Sequence, residues 1–210
     1  METFRGKKGV LIGAPHGTFD RHTDVIAAAL IQRTKMSGVI ARGYRVAGLS
    51  VVRPTEEISI PPPPCHQLPF TFRARHVYEE YVSLMKEASQ GPIRLYFEVH
   101  GNRYPPTQDA VEIASAGIAA AEAQKLKARF LEIQSAVLAK ASRAARVGIR
   151  MEPDDRVFWS ATCTKRDGTL SEVAKGFQIE LPWEVRQEPS RDAYIDVLER
   201  FFVAAEEVLV

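Results

Sequence analysis

The sequence lacks the features that mark several large classes of protein. It has only two cysteines, Cys65 and Cys163, which lie far apart and in no paired motif. Two cysteines so placed make no disulfide framework, and the expectation is a reducing compartment and a cytoplasmic protein. No window approaches the roughly 20 apolar residues of a membrane span. The first residues, Met1 to Lys8, are polar and run straight into an apolar segment, so no signal-peptide core is expected. A formal net charge of +2 with no run of like charges is too small to argue for nucleic acid as a partner. Internal repeats are absent. So are a Gly-x-Gly-x-x-Gly turn after the first apolar run, a Gly-Lys-Ser/Thr phosphate loop and a Gly-x-Ser-x-Gly nucleophile elbow.

What is present is an ordinary globular composition, 45% hydrophobic and 26% charged over 210 residues. That is enough chain for one well-buried domain. Val10-Leu11-Ile12, bounded by glycine, reads as a buried strand. A helix is predicted from about Thr23 to Lys35, capped by Thr23 or Asp24 and broken by Gly38 and Gly43. Tyr44 to Val52 reads as a second strand. Residues 54–73 form a proline-rich loop, with four consecutive prolines at Pro61 to Pro64, which neither a helix nor a central strand accepts. Such a loop suits a substrate wall, a surface excursion or a subunit contact.

Arg75 to Ala88 has helical spacing, ended by Gly91-Pro92. Ile93 to Val99 is β-branched, aromatic and mostly apolar, and reads as a central strand. Asp109 to Ala145 is helix-prone, although Val111-Glu112-Ile113 allows a short strand before it. Arg146 to Met151, Val157 to Thr164 and Gly176 to Pro182 are strand candidates, and an amphipathic helix closes the chain at about Arg191 to Val208. The alternation of strands and helices predicts a single α/β domain over 1–210, with a mostly parallel sheet covered on both faces.

The chemistry-bearing residues collect just after strands. His16, Asp20, His22 and Asp24 share the loop that follows Val10-Leu11-Ile12, and His100-Gly101-Asn102-Arg103 follows the strand at 93–99. In open α/β sheets this edge is where ligands bind. Imidazole and carboxylate are the usual ligands of a hydrolytic zinc ion. His16 and His100, each followed by a glycine that lets the backbone turn, are the first candidates for metal ligands. Asp20 is the preferred third ligand. Asp24 is an alternative that competes with a helix-cap role or a role in orienting a histidine, and His22 is a further alternative. Glu180 sits in an apolar strand between Ile179 and Leu181, where a lone charge needs a partner or a function. Beside a metal it would serve as general base. Arg103, Arg73, Arg75 and Arg150 are candidates to hold a substrate carboxylate, Arg103 first because it is three residues from His100.

The series Ala14-Pro15-His16-Gly17, Asp20-Arg21-His22-Thr23-Asp24 and Glu98-Val99-His100-Gly101 resembles the N-formylglutamate amidohydrolase family, which belongs with the zinc carboxypeptidase-like hydrolases. The resemblance implies a three-layer α/β/α sandwich around a mostly parallel mixed sheet, of the phosphorylase/hydrolase-like kind. Phe177-Gln178-Ile179-Glu180-Leu181 is similar to the strand that carries the general-base glutamate in zinc carboxypeptidases. Poly-γ-glutamate hydrolases of the same group also place an acidic residue shortly after a His-Gly. By this resemblance one zinc ion would be held by His16, Asp20 and His100, and Glu180 would activate water. Asn102-Arg103 is similar to the Asn-Arg pair that holds a substrate carboxylate in carboxypeptidases. The carboxypeptidase His-x-x-Glu pair is missing, because Phe19 stands three residues after His16.

The expected function is a metal-dependent amidohydrolase acting on a small carboxylate-bearing molecule, an N-acyl amino acid or a glutamyl amide. Neither nucleic acid nor a membrane is an expected partner. A homo-oligomer is compatible with the proline loop and the alanine-rich helix forming a contact. The competing non-enzyme reading is a hydrolase-like scaffold used for binding or assembly. A histidine-rich cyclase motif is not matched, since Phe19 follows Gly17-Thr18. Cys163 is read as a buried strand cysteine rather than a nucleophile.

Overall fold

A computed structural model describes residues 1–44, 49–56 and 65–210. The four prolines at 61–64 lie outside the described residues. Seven strands form one sheet: β1 (Glu2–Phe4), β2 (Lys7–Ala14), β3 (Met36–Ile40), β4 (Leu95–Gly101), β5 (Ala110–Ala116), β6 (Gly148–Met151) and β7 (Lys175–Leu181). Their spatial order is β1-β3-β2-β4-β7-β5-β6. The central run β3-β2-β4-β7 is parallel, as is β5-β6, while β1-β3 and β7-β5 are antiparallel. The sheet is therefore mixed and mostly parallel.

Period-2 alternation divides the sheet into two chemically different faces. Val10, Ile12, Leu95, Phe97, Val99, Phe177, Ile179 and Leu181 belong to the larger core. It packs under α1 (Thr23–Thr34), α3 (Ala120–Leu138) and α5 (Ser190–Leu209). Phe97 lies between the rings of Phe202 at 4.0 Å and Phe177 at 5.8 Å, both stacked. The opposite face carries Leu11 and Tyr96 in a second core beneath α2 (Phe72–Ser89). Toward the strand ends that second face turns polar, with Glu98, His100, Gln178, Glu180 and Glu112 all buried. A helix layer on each face of the sheet gives the three-layer α/β sandwich.

Several elements differ from the sequence reading. The strand after α1 is β3, and Tyr44 to Val52 contributes, among its described residues, only an isolated bridge from Leu49 to Glu56. Gly38, read as a helix breaker, sits inside β3, where a Cβ would overlap the side chain of Ile31 from α1. Its lack of a side chain lets helix and sheet approach. The polar start of the chain forms β1 at the sheet edge. Val111-Glu112-Ile113 does belong to a strand, β5, and the long helix begins only at Ala120. Val157 to Thr164 is not a strand: it is a loop leading into α4 (Thr162–Asp167). Its backbone is satisfied by a side chain instead of a neighbouring strand, because Phe158 and Trp159 both donate their N–H groups to Glu112 Oε2, at 3.0 and 3.1 Å.

The cysteines also differ from expectation. Cys65 and Cys163 are joined in a disulfide across 98 residues. So wide a separation carries no spacing signal, and the argument from unpaired cysteines to a reducing compartment loses its premise. No helix among the described residues is long and apolar enough to cross a membrane.

Candidate metal centre

Because β2, β4 and β7 are neighbours and parallel, their C-terminal ends lie side by side. The loop after β2 brings His16 and Asp20, the end of β4 brings His100, and Glu180 pairs with His100 in register on β7. The turn at 16–24 is tight: Asp20 N–H donates to the His16 carbonyl at 2.8 Å and Thr23 N–H to the Asp20 carbonyl at 3.0 Å. This folds Asp20 back beside His16.

His16, Asp20 and His100 are all buried, and one ligand atom of each lies within 4.8 Å of the others. Both histidines turn Nδ1 toward the same oxygen, Asp20 Oδ2, at 3.4 Å in each case. That is longer than an ordinary N–H···O bond of about 2.7–3.2 Å. It equals the spacing of two ligand atoms on one tetrahedral zinc, each about 2.0–2.2 Å from the metal and so roughly 3.4 Å apart. The imidazole rings meet edge to face at 4.9 Å. The donor set and its spacing fit a divalent cation.

Electrostatics point the same way. Burial raises the Asp20 pKa, but hydrogen bonding to His100 and His16 outweighs it and holds the carboxyl well below the usual range. Burial would lower His100, yet its bonds to Asp20 and Glu98 push it up to about 10. Without a cation, these two acids keep a proton on the ring, which makes the site a place where positive charge is stable.

The alternative ligands have other partners. Asp24 pairs with Arg42 Nε at 2.8 Å, and it neither caps α1 nor touches a site histidine. His22 stands just before α1 in a left-handed conformation, φ 74°, without a capping bond. Burial and the nearby Arg191, Arg21 and Arg186 lower its pKa, so its surroundings disfavour a cation.

His16, Asp20 and His100 open into a cleft of about 1170 Å³, also lined by Glu180, Gln178, Asn102 and Arg103. Glu180 is buried, with Gln178 Nε2 donating to it at 3.3 Å. The Arg103 guanidinium lies 3.5 Å over the Trp183 ring. Asn102 Oδ1 accepts from Thr107 at 2.8 Å, and its Nδ2 is buried with no hydrogen-bond partner among the described residues. Exposed Phe19 and Phe158 give the cleft an apolar component, with Phe158 stacked on Tyr104 at 4.7 Å. Arg73, Arg75 and Arg150 do not line it: Arg75 pairs with Glu79, and Arg150 grips Asp109 through both terminal nitrogens. Cys163 is a disulfide cysteine on α4 in the cleft wall, not a strand cysteine.

Sequence reasoning missed Arg186. Its side chain is fully buried and donates to the carbonyls of Leu181 at 3.2 Å, Arg21 at 2.6 Å and Asn102 at 2.9 Å. These carbonyls belong to β7, the His16 loop and the end of β4, so one guanidinium ties together the three segments that form the site. Gly101 leaves it room, since a Cβ there would overlap the guanidinium. The glycine after His100 was visible in sequence; the arginine that needs it was not, being 85 positions away.

No family model and no curated protein matches the chain in sequence. Solved structures match in fold. A bacteriophage poly-γ-glutamate hydrolase aligns over 98% of this chain and 87% of its own, with a TM-score of 0.52 and 14% identity. A gene product of Agrobacterium tumefaciens aligns over 96% and 90%, with a TM-score of 0.49 and 14% identity. The N-acetylmuramoyl-L-alanine amidase AmiC2 of Nostoc punctiforme aligns over 97% and 99%, with a TM-score of 0.45 and 12% identity.

Proposed function

We propose that the chain is a metal-dependent amidohydrolase that cleaves an amide bond in a small carboxylate-bearing substrate, an N-acyl amino acid or a glutamyl amide. The observation that carries this reading is the convergence of two imidazole Nδ1 atoms on one Asp20 oxygen at ligand–ligand spacing, at the edge of a sheet with the fold of a hydrolase. In this reading His16, Asp20 and His100 hold one divalent ion, zinc being the natural choice for two imidazoles and a carboxylate. Such an ion polarises a carbonyl and lowers the pKa of water.

The chain's own residues do the rest. Glu180, level with His100 on the next strand, takes the proton that the attacking water gives up and returns it to the leaving nitrogen. Arg103, its plane set by Trp183, pairs with the substrate carboxylate. Asn102, also in the cleft lining, is assigned to the same carboxylate. The apolar wall at Phe158 and Tyr104 covers the uncharged part of the substrate. The glutamyl alternative is in keeping with the bacteriophage hydrolase, which by name acts on poly-γ-glutamate.

The test is metal analysis of the purified protein together with Glu180→Gln. The expected result is about one zinc per chain in both proteins, with amide hydrolysis reduced on the order of 10²–10⁴-fold in the variant. Hydrolysis that persists in protein stripped of metal rules the proposal out.

A further inference from the structure

The Nε2 side of His100, away from the proposed metal, is occupied in an organised way. His100 Nε2 lies 2.7 Å from Glu98 Oε1, and Glu98 has no solvent exposure. A carboxylate buried this deeply needs several donors, and it has them. Thr169 Oγ1 donates to Glu98 Oε2, and the Tyr96 hydroxyl also bonds to Glu98. The Tyr96 hydroxyl is in turn 3.2 Å from that of Tyr81 on α2. Gly13 on β2 stands opposite Glu98 in register. A Cβ at Gly13 would overlap the Tyr96 hydroxyl and come within 2.7 Å of the Tyr81 hydroxyl. Tyr96, Glu98 and His100 share one face of β4 by simple alternation. A chain of polar groups thus runs along one face of the sheet, from Tyr81 on α2 to the imidazole.

We infer that Glu98 is a positioning residue for the metal centre: supported by Tyr96 and Thr169, it keeps the His100 proton on Nε2 and presents Nδ1 as the ligating atom. The inference rests on the proposed assignment of His100 as a ligand. A hydrogen-bonded acid behind a ligating histidine fixes ring orientation and raises ligand basicity, and its loss typically weakens metal binding about 10–100-fold. Gly13 belongs to the same device, because only a residue without a side chain admits the two phenols.

The experiment measures zinc affinity by competition with a chromophoric chelator for the full chain and for His100→Ala, Glu98→Gln, Tyr96→Phe and Thr169→Val. It adds ¹⁵N NMR of the zinc-loaded protein, with His100 assigned by its variant. The expected result is a roughly 10–100-fold weaker affinity for Glu98→Gln, a smaller loss for Tyr96→Phe and Thr169→Val, and a His100 proton on Nε2 in the wild-type spectrum. If Glu98→Gln does not fold, the two milder variants and the wild-type spectrum decide. Wild-type affinity in Tyr96→Phe and Thr169→Val, or a proton on Nδ1, overturns the inference while leaving His100 a ligand. Zinc affinity that His100→Ala leaves unchanged overturns the metal assignment itself, and the inference with it.

Discussion

His100 is held between two carboxylates, Asp20 at Nδ1 and Glu98 at Nε2. This has a consequence for the metal-free protein. Its folded pKa of about 10 lies above the ordinary value of 6.5, so the protonated ring stabilises the fold. That contribution is fully present below about pH 6.5 and is lost as pH rises through about 10. Asp20, depressed in the folded state, contributes in the opposite sense: its share is present above the ordinary carboxyl range and lost as pH falls toward its folded value. Chelator-treated protein is therefore expected to lose thermal stability from pH 6.5 to 10, by roughly 2–4 °C for each kcal/mol. Zinc should remove much of this slope, because a ligating imidazole no longer needs its proton. A metal-free melting temperature that is flat across this window contradicts the arrangement. The placement of His16, Asp20, His100 and Glu180 follows from strand ends and a short loop, both local features, so all four were legible in the sequence. Glu98 was quoted there only as part of a motif. Its role depends on Tyr96 beside it on β4, on the Tyr81 phenol from α2 and on a threonine 71 residues away, and the last two are contacts that no local pattern displays.

At the level of elements, the site depends on three segments: the ends of β4 and β7 are paired in the sheet, Gly101 N–H reaches Asp20 in the His16 loop at 3.3 Å, and one side chain reaches all three. The His16 loop, the end of β4 and the end of β7 converge on the Arg186 guanidinium, which reaches one carbonyl in each. Hydrogen bonds from a charged donor are stronger than neutral ones, and removing a buried donor leaves its acceptors unsatisfied. Arg186→Leu keeps an apolar stem but strips three carbonyls of their partner. The expected cost is about 3 kcal/mol or more, with lowered zinc content, as seen by denaturant melts and metal analysis. Arg186→Lys, a single point donor, should fall between leucine and wild type. An unchanged melt for Arg186→Leu would mean that the three strand ends are fixed by sheet pairing alone. The strands were readable where apolar runs were continuous, as in β4 and β7. They were misread where packing overrode local signals. Gly38 lies in β3 because α1 packs against it. Val157 to Thr164 has strand-like residues, but its N–H groups are taken by Glu112 and its aromatic rings form the cleft wall.

On the scale of the whole molecule, the candidate metal site lies at one end of the central strands, and the far wall of the cleft is assembled from distant chain. Cys65 and Cys163 both line the cleft, and their bond spans α2, β4, β5, α3 and β6. A cross-link that closes about 100 residues stabilises mainly by restricting the unfolded chain, by up to about 4.7 kcal/mol on chain-entropy grounds and more typically about 2–4. Cys65→Ser with Cys163→Ser should therefore lower the melting temperature by roughly 5–15 °C. The ligands should be spared, since they sit on segments pinned by Arg186 and by the β2-β4-β7 pairing, so zinc content should stay at the wild-type level. Substrate binding should not be spared, because the Phe158–Trp159 wall immediately precedes α4, which carries Cys163; KM is expected to rise more than kcat falls. Calorimetry, metal analysis and kinetics on the same double variant separate these effects. If zinc is lost together with the disulfide, the cleft wall and the metal centre fold as one unit, and the division of the molecule into a rigid metal edge and a separately fastened wall is wrong.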